Sequence, residues 1–247
     1  MIATGDLVLL RAEGGREYLA TVKDEKLHTD LGLVNLKCVE GLEWGSIIAS
    51  HLGKPFTVLR PRAPDLFRHL SRTGAPMMPK DIGAIIAYTG LCPDDTVLDA
   101  GTGSGVLAIY LGFIARKVIS YEVNEHFVSV ARKNVAHAGL SNVEVRHGDI
   151  LEELGRVDGP FDVVTLDMQG APSAVEGAYS LLVPGGFLAS YSPFFEQAME
   201  TRKAVERANF ASYATLMFNE QELEVGKRGT RPSTRVGHTG FITIARK

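Results

Sequence analysis

Residues 97–108 read VLDAGTGSGVLA, and the reading of this stretch decides the fold. VLDA is apolar but for Asp99 and does not alternate, as in a strand buried on both faces. GTGSG is a turn in which Gly101, Gly103 and Gly105 let the backbone bend tightly and come close to a ligand. SGVLAIYLGFIA (104–115) continues as a helix. Strand, glycine turn and helix together open a doubly wound α/β sheet, a feature shared with dinucleotide-binding folds.

Outward from there the alternation persists. KVISYE (117–122) reads as a strand and NEHFVSVARKNVAHAG (124–139) as a helix. NVEVRHGD (142–149) and FDVVTLD (161–167) read as further strands, and SAVEGAYSLL (173–182) as a helix. The turn PGG (184–186) leads to a strand FLASYSP (187–193) and a helix EQAMETRKAVERA (196–208). SYATLMFN (212–219) and GFITIARK (240–247) close the chain as an antiparallel strand pair joined by a basic loop. Continuous apolar strands alternating with helices predict a mostly parallel sheet covered on both faces. Upstream, MPKDIGAIIAYTG (78–90) is helical, with Pro79 and Asp81 at its start and Gly90 at its end.

The first sixty residues differ. DLVLLRA (6–12), YLATVKD (18–24) and PFTVLRP (55–61) are short strands between turns, and GSIIASHLG (45–53) carries the one helical period. The change of character at PRAPDLFRHL (61–70) places a small β-rich domain at residues 1–62 and the α/β domain at 63–247.

Four acids fall at strand ends: Asp99 before the glycine turn, Glu122, Asp149 and Asp167. In an open α/β sheet, ligands bind outside the carboxyl ends of the strands. A diphosphate is repelled by such an edge. A sulfonium bearing a ribose, an amine and an adenine suits it. Glu122 can take the ribose hydroxyls and Asp149 the adenine amine, with Val123 and Ile150 enclosing the purine. Asp99 would act through the glycine loop and the cationic end of the ligand. NAD is the competing cofactor, because its ribose also takes an acid about twenty residues on. Asp149, the PGG turn and the terminal strand pair favour S-adenosylmethionine.

DAGTGSG and VPGGFLASY resemble two motifs of the class I S-adenosylmethionine-dependent methyltransferases. That resemblance implies their Rossmann-like sheet, with Gly101, Thr102, Gly103, Ser104, Gly105 and Val106 beside the cofactor.

At 247 residues the chain has room for one large domain, or an ordinary one with a small companion. No run reaches the roughly eighteen apolar residues of a membrane helix, and nothing at the start resembles a secretory leader. Cys38 and Cys92 stand far apart and outside any metal or redox motif. A reducing cytoplasm, no membrane and no metal site are therefore expected, and the seven histidines form no ligand set. Net charge is −3, yet residues 225–247 contain no acid and carry Lys227, Arg228, Arg231, Arg235, Arg246 and Lys247. Such a segment is a candidate polyanion contact or a solvated tail.

Across its whole length the chain is similar to the archaeal and bacterial tRNA (adenine-N1)-methyltransferases. GDLVLL, YLATV, LHTDLGLVNL, SHLGKPFTVLRP, MPKDIGAII and RPSTRVGHTGFITIAR carry the likeness. The resemblance implies methyl transfer from S-adenosylmethionine to N1 of adenosine 58 in the tRNA T loop, and in archaea adenosine 57 as well. It also implies a homotetramer. It assigns catalytic roles to Asp167, the strand-end acid facing the base, and to Tyr191, the aromatic beside the acceptor. Arg231, Arg235 and His238 fall to the substrate. Met78 stands where the family often has Tyr, and MQGAP follows Asp167 where Leu-Pro-x-Pro is frequent. Three rivals remain open: a protein isoaspartate methyltransferase, a Mg²⁺-dependent O-methyltransferase, and an RNA-binding subunit without activity.

Overall fold

Alternating apolar residues in the first sixty positions fold into a β-rich unit of one four-stranded antiparallel sheet and a hairpin. Its elements are β1 (Leu7–Ala12), β2 (Glu17–Thr21), β3 (Lys26–Thr29), β4 (Gly32–Asn35), β5 (Ile47–Ala49) and β6 (Pro55–Leu59). The sheet order is β2-β1-β6-β5, and β3 and β4 form a separate hairpin. Leu10 of β1 lies opposite Val58 of β6. With Val8 and Phe56 they are fully buried, each contributing about 1.5–3 kcal/mol by leaving water. GSIIASHLG is not helical. Its Ile47 and Ile48 are β-branched and pair with Thr57 and Phe56 of β6, and that pairing prevails over the short helical period.

The computed structural model describes residues 1–227, 229–233 and 237–247. By internal contacts it divides into residues 1–71 with 133–141, and residues 72–132 with 142–247. Residues 1–71 close with α1 (Ala63–His69), whose Asp65 side chain accepts from the Arg62 N–H at 2.8 Å and caps the first turn.

The rest of the chain contributes α2 (Pro79–Thr89), β7 (Thr96–Ala100), α3 (Val106–Gly112), β8 (Lys117–Glu122), α4 (Glu125–His137), β9 (Val143–His147) and the single turn α5 (Ile150–Glu153). These are followed by β10 (Phe161–Leu166), α6 (Ala171–Leu181), β11 (Leu182–Ser192), α7 (Phe195–Arg207), β12 (Ser212–Leu216), β13 (Leu223–Gly226), β14 (Gly229–Pro232) and β15 (Phe241–Arg246). Among the described residues the main sheet runs β12-β15-β11-β10-β7-β8-β9. The five strands from β11 to β9 are parallel, and β15 is antiparallel to both β11 and β12. This is the mostly parallel sheet with an antiparallel terminal pair expected from the sequence. After β7 the chain moves outward through β8 and β9, then returns to β10 on the other side. The carboxyl ends of β7 and β10 therefore border the switch point where such sheets bind ligands.

Two local readings change. PGG is not a turn before a strand, because residues 184–186 lie inside β11. Gly185 has φ +83° there, and the pairing with β10 shifts register between Phe161 and Val163, as at a bulge. The connection between β12 and β15 is more than a loop, since β13 and β14 pair within it. Among the described residues no helix is long and apolar enough to cross a membrane.

Candidate functional site

The glycine turn leaves β7 at its carboxyl end. Gly101, Gly103 and Gly105 all have positive φ, and a Cβ on Gly105 would meet Ala131 at 3.3 Å, so α4 packs directly on the loop. Glu122, at the end of β8, is bound to this turn. One carboxylate oxygen accepts from the Gly103 N–H and the other from the Asn124 N–H, both at 2.9 Å. Each oxygen keeps a further lone pair for a ligand hydroxyl. Asp149 lies beyond the end of β9 as the N-cap of α5, with one oxygen accepting from the Leu151 N–H at 2.9 Å. Asp167 follows β10, and its N–H donates to the Ala100 carbonyl at 2.8 Å.

A cavity of about 620 Å³ lies along this edge. Gly101, Gly103, Glu122, Val123, Asp149, Ile150, Asp167 and Tyr191, eight of the sequence-derived residues, line it. Three of the eight are acids, and among the described residues the wall carries no Lys, Arg or His. That donor set suits a cationic, hydroxyl- and amine-bearing ligand and repels a diphosphate. Val123 is 61% exposed, an apolar surface beside Glu122 available to a purine. The residues therefore fit S-adenosylmethionine and fit NAD poorly.

Asp99 does not reach the cavity. It is buried beneath it, accepting from the Ser120 and Thr165 hydroxyls, and Thr102 in turn contacts Ser120 at 2.5 Å. Burial raises the Asp99 pKa, opposed by those two hydrogen bonds and aided by the Glu122 charge. Asp167 is pushed up to about 7, first by burial and then by the negative charges of Asp99 and Glu122. An acid with that pKa is half ionised at neutral pH and poised to exchange a proton. Tyr191 is raised to about 12, chiefly by burial, and its hydroxyl donates to the Thr239 carbonyl at 2.6 Å.

The remaining sequence-derived residues lie elsewhere. Thr102, Ser104, Gly105 and Val106 stand behind the cavity wall, and Met78 is the N-cap of α2 outside it. Arg231 on β14 pairs with Glu224 on β13 at 2.9 Å. His238 bonds the carbonyl of Pro193, a wall residue, at 3.3 Å. Arg235 lies outside the described residues. Sequence reasoning missed the 73–75 segment, Phe127, Phe194 and Gln197 on the wall. The signal for Phe194 was present: an apolar Phe194-Phe195 pair opening an otherwise polar helix.

A family described as a methyltransferase domain matches residues 92–227. The chain is 36% identical to a Methanocaldococcus jannaschii tRNA (adenine(57)-N(1)/adenine(58)-N(1))-methyltransferase, over 96% of this chain and 94% of that protein. It is 33% identical to a Thermus thermophilus tRNA (adenine(58)-N(1))-methyltransferase, over 97% and 96%. Among solved structures, a Thermotoga maritima SAM-dependent O-methyltransferase superposes with a TM-score of 0.83 at 30% identity, covering 100% of this chain and 94% of that one.

Proposed function

The chain belongs to the tRNA (adenine-N1)-methyltransferase family, and we propose that it transfers the methyl group of S-adenosylmethionine to N1 of adenosine 58 in the tRNA T loop. The observation that carries this reading is the acid-only cavity at the switch point, in a chain similar to N1-methylating enzymes over nearly its full length.

Glu122 would hold the ribose hydroxyls, Asp149 would accept from the adenine amine through its uncapped oxygen, and Val123 and Ile150 would enclose the purine. Bound there, S-adenosylmethionine supplies an electrophilic methyl on a sulfonium, open to in-line displacement by a ring-nitrogen lone pair. Asp167 supplies the acid–base part. As N1 of the target adenine acquires the methyl, its ring gains positive charge and its exocyclic amine becomes more acidic. The Asp167 carboxylate accepts from that amine and stabilises the charge. Tyr191 walls the acceptor side with its ring. The target base is extruded from the T loop to reach this depth.

Arg231 and Arg235 would hold tRNA phosphates, giving affinity without sequence readout, whereas Arg246 and Lys247 are bonded to the Gly185, Tyr179 and Leu182 carbonyls. The reading extends to a cytoplasmic homotetramer, with residues 1–62 as a small β-rich domain and residues 63–247 as the methyltransferase domain.

The test is label transfer from S-adenosylmethionine to an unmodified tRNA transcript, wild type beside Asp167→Ala, with the product located by nucleoside analysis. N1-methyladenosine from the wild type alone is expected. An O-methylated product, or label absent from tRNA while cofactor binds, would overturn the assignment.

A further inference from the structure

The stretch MPKD that opens α2 and the stretch HTG before β15 are far apart in sequence and join in one buried network. Lys80 is nearly buried and Asp81 wholly so. The Lys80 ammonium donates to the Asp81 carboxylate, the Phe218 carbonyl and the Thr239 hydroxyl, each at 2.7 Å. Those three bonds use all three of its protons. The Thr239 hydroxyl donates onward to the second Asp81 oxygen at 2.6 Å.

The placement of these partners gives the network its meaning. Phe218 lies just after β12 and Thr239 just before β15, so one ammonium binds both ends of the excursion that carries β13, β14 and the basic residues. The same Thr239 accepts the Tyr191 hydroxyl on its carbonyl. Gly240, the next residue, lies so close that a Cβ there would meet the Tyr191 ring at 2.5 Å. The Tyr191 ring is on the cavity wall with Asp167.

We propose that Lys80, Asp81 and Thr239 are positioning residues for methyl transfer, fixing both ends of the 218–239 arm and, through Thr239 and Gly240, the Tyr191 ring against the acceptor base. The proposal rests on the tRNA-methyltransferase reading. Phosphates held by the arm and a base held by Tyr191 then share one anchor. A charged, fully bonded buried cluster is rigid, because a shift of any member leaves another unpaired. A misplacement of about 1 Å at a reacting centre costs about 100-fold in rate.

Removing Lys80 alone would leave Asp81 buried and unpaired, so the test uses variants that keep that pair. Thr239→Val deletes the shared hydroxyl at constant shape, Thr239→Ser restores it, and Gly240→Ala displaces the Tyr191 ring without touching a charge. Steady-state kinetics on tRNA transcript are read beside cofactor titration. Thr239→Val and Gly240→Ala should each lower kcat, up to about 100-fold, with cofactor Kd nearly unchanged; KM for tRNA should hold in Gly240→Ala and rise in Thr239→Val, which also loosens the arm, and Thr239→Ser should recover most of both losses. In a Tyr191→Ala background, Gly240→Ala should cost nothing further, since the ring it displaces is gone. Additive losses in that background, a parallel loss of cofactor affinity, or an unchanged kcat would overturn the proposal. A wild type that transfers no methyl to tRNA would overturn the functional reading itself, and the positioning role with it.

Discussion

A Cβ on Gly101 would lie 2.0 Å from the main-chain carbonyl oxygen of Asp167. The glycine turn and the proposed catalytic acid are thus in direct backbone contact, fixed from the other side by the bond from the Asp167 N–H to Ala100. Because the obstacle is backbone, Gly101→Ala must move one strand end against the other. Its φ of +89° adds about 1–2 kcal/mol for a residue bearing a Cβ. The expected outcome is a lower melting temperature together with a loss of kcat approaching 100-fold, read by thermal unfolding and methyl transfer. A Gly101→Ala enzyme with near-normal kcat would show that the contact does not set the position of Asp167.

Asp167 should set the pH dependence. Its carboxyl is ionised above about 7, so methyl transfer by the free enzyme should rise through that pH and level off. The stability consequence has the opposite sign. The unfolded carboxyl ionises near its ordinary 3.8 while the folded one keeps its proton to about 7, so the fold loses stability as pH rises between those values. Asp167→Asn removes that loss. Its melting temperature should match the wild type near pH 4 and exceed it by pH 8, while kcat falls by about 100- to 10,000-fold. Equal melting temperatures at both pH values would mean that Asp167 is ordinarily solvated.

The sequence disclosed the site where topology forces neighbours together. Parallel strands joined through helices bring their carboxyl ends to one edge, so Glu122, Asp149 and Asp167 could be gathered by finding the acid near each strand end. Asp99 obeys the same rule but sits a residue earlier in its strand, facing Ser120 and Thr165 below the cavity. No periodicity distinguishes that. The Lys80–Thr239 contact spans 159 positions and depends on β15 inserting between β11 and β12, which strand patterning does not specify. GSIIASHLG misled for a local reason, since a few residues can satisfy a helical period while their β-branched members pair with a neighbouring strand.

Glu122 accepts two backbone N–H groups, and Gln offers only one oxygen. Glu122→Gln therefore turns its amide toward either Gly103 or Asn124, where donor meets donor, and removes the charge that faces the ligand. Hydrogen bonds to a charged group contribute about 1.5–3 kcal/mol, so cofactor affinity should fall by about 10- to 100-fold in a calorimetric titration. An unchanged Kd would place the ribose elsewhere.

Tyr191 should contribute a ring and not a proton. Its hydroxyl is committed to Thr239 and held un-ionised up to about 12. Tyr191→Phe should cost about 1 kcal/mol of stability and leave the pH–rate midpoint where the wild type has it, with a modest fall in kcat as the ring loosens. Tyr191→Ala should lose far more. A midpoint displaced in the Phe variant would assign the hydroxyl a part in proton transfer.

The base also needs a second apolar face, and Met78, at the position where the family often carries Tyr, is not on the wall. Phe194 is. It is 63% exposed and stands at the start of α7 beside Pro193, whose carbonyl is held by His238. Phe195 packs on Phe241, while Phe194 has no aromatic partner among the described residues. A flipped adenine would cover it. Base–aromatic stacking is worth about 1–3 kcal/mol on alanine substitution, so Phe194→Ala should lower kcat/KM for tRNA by about 5- to 150-fold, with cofactor Kd unchanged. Phe194→Tyr should retain the rate, since it keeps the ring. Loss of cofactor affinity in Phe194→Ala would instead put this ring on the cofactor side of the cavity.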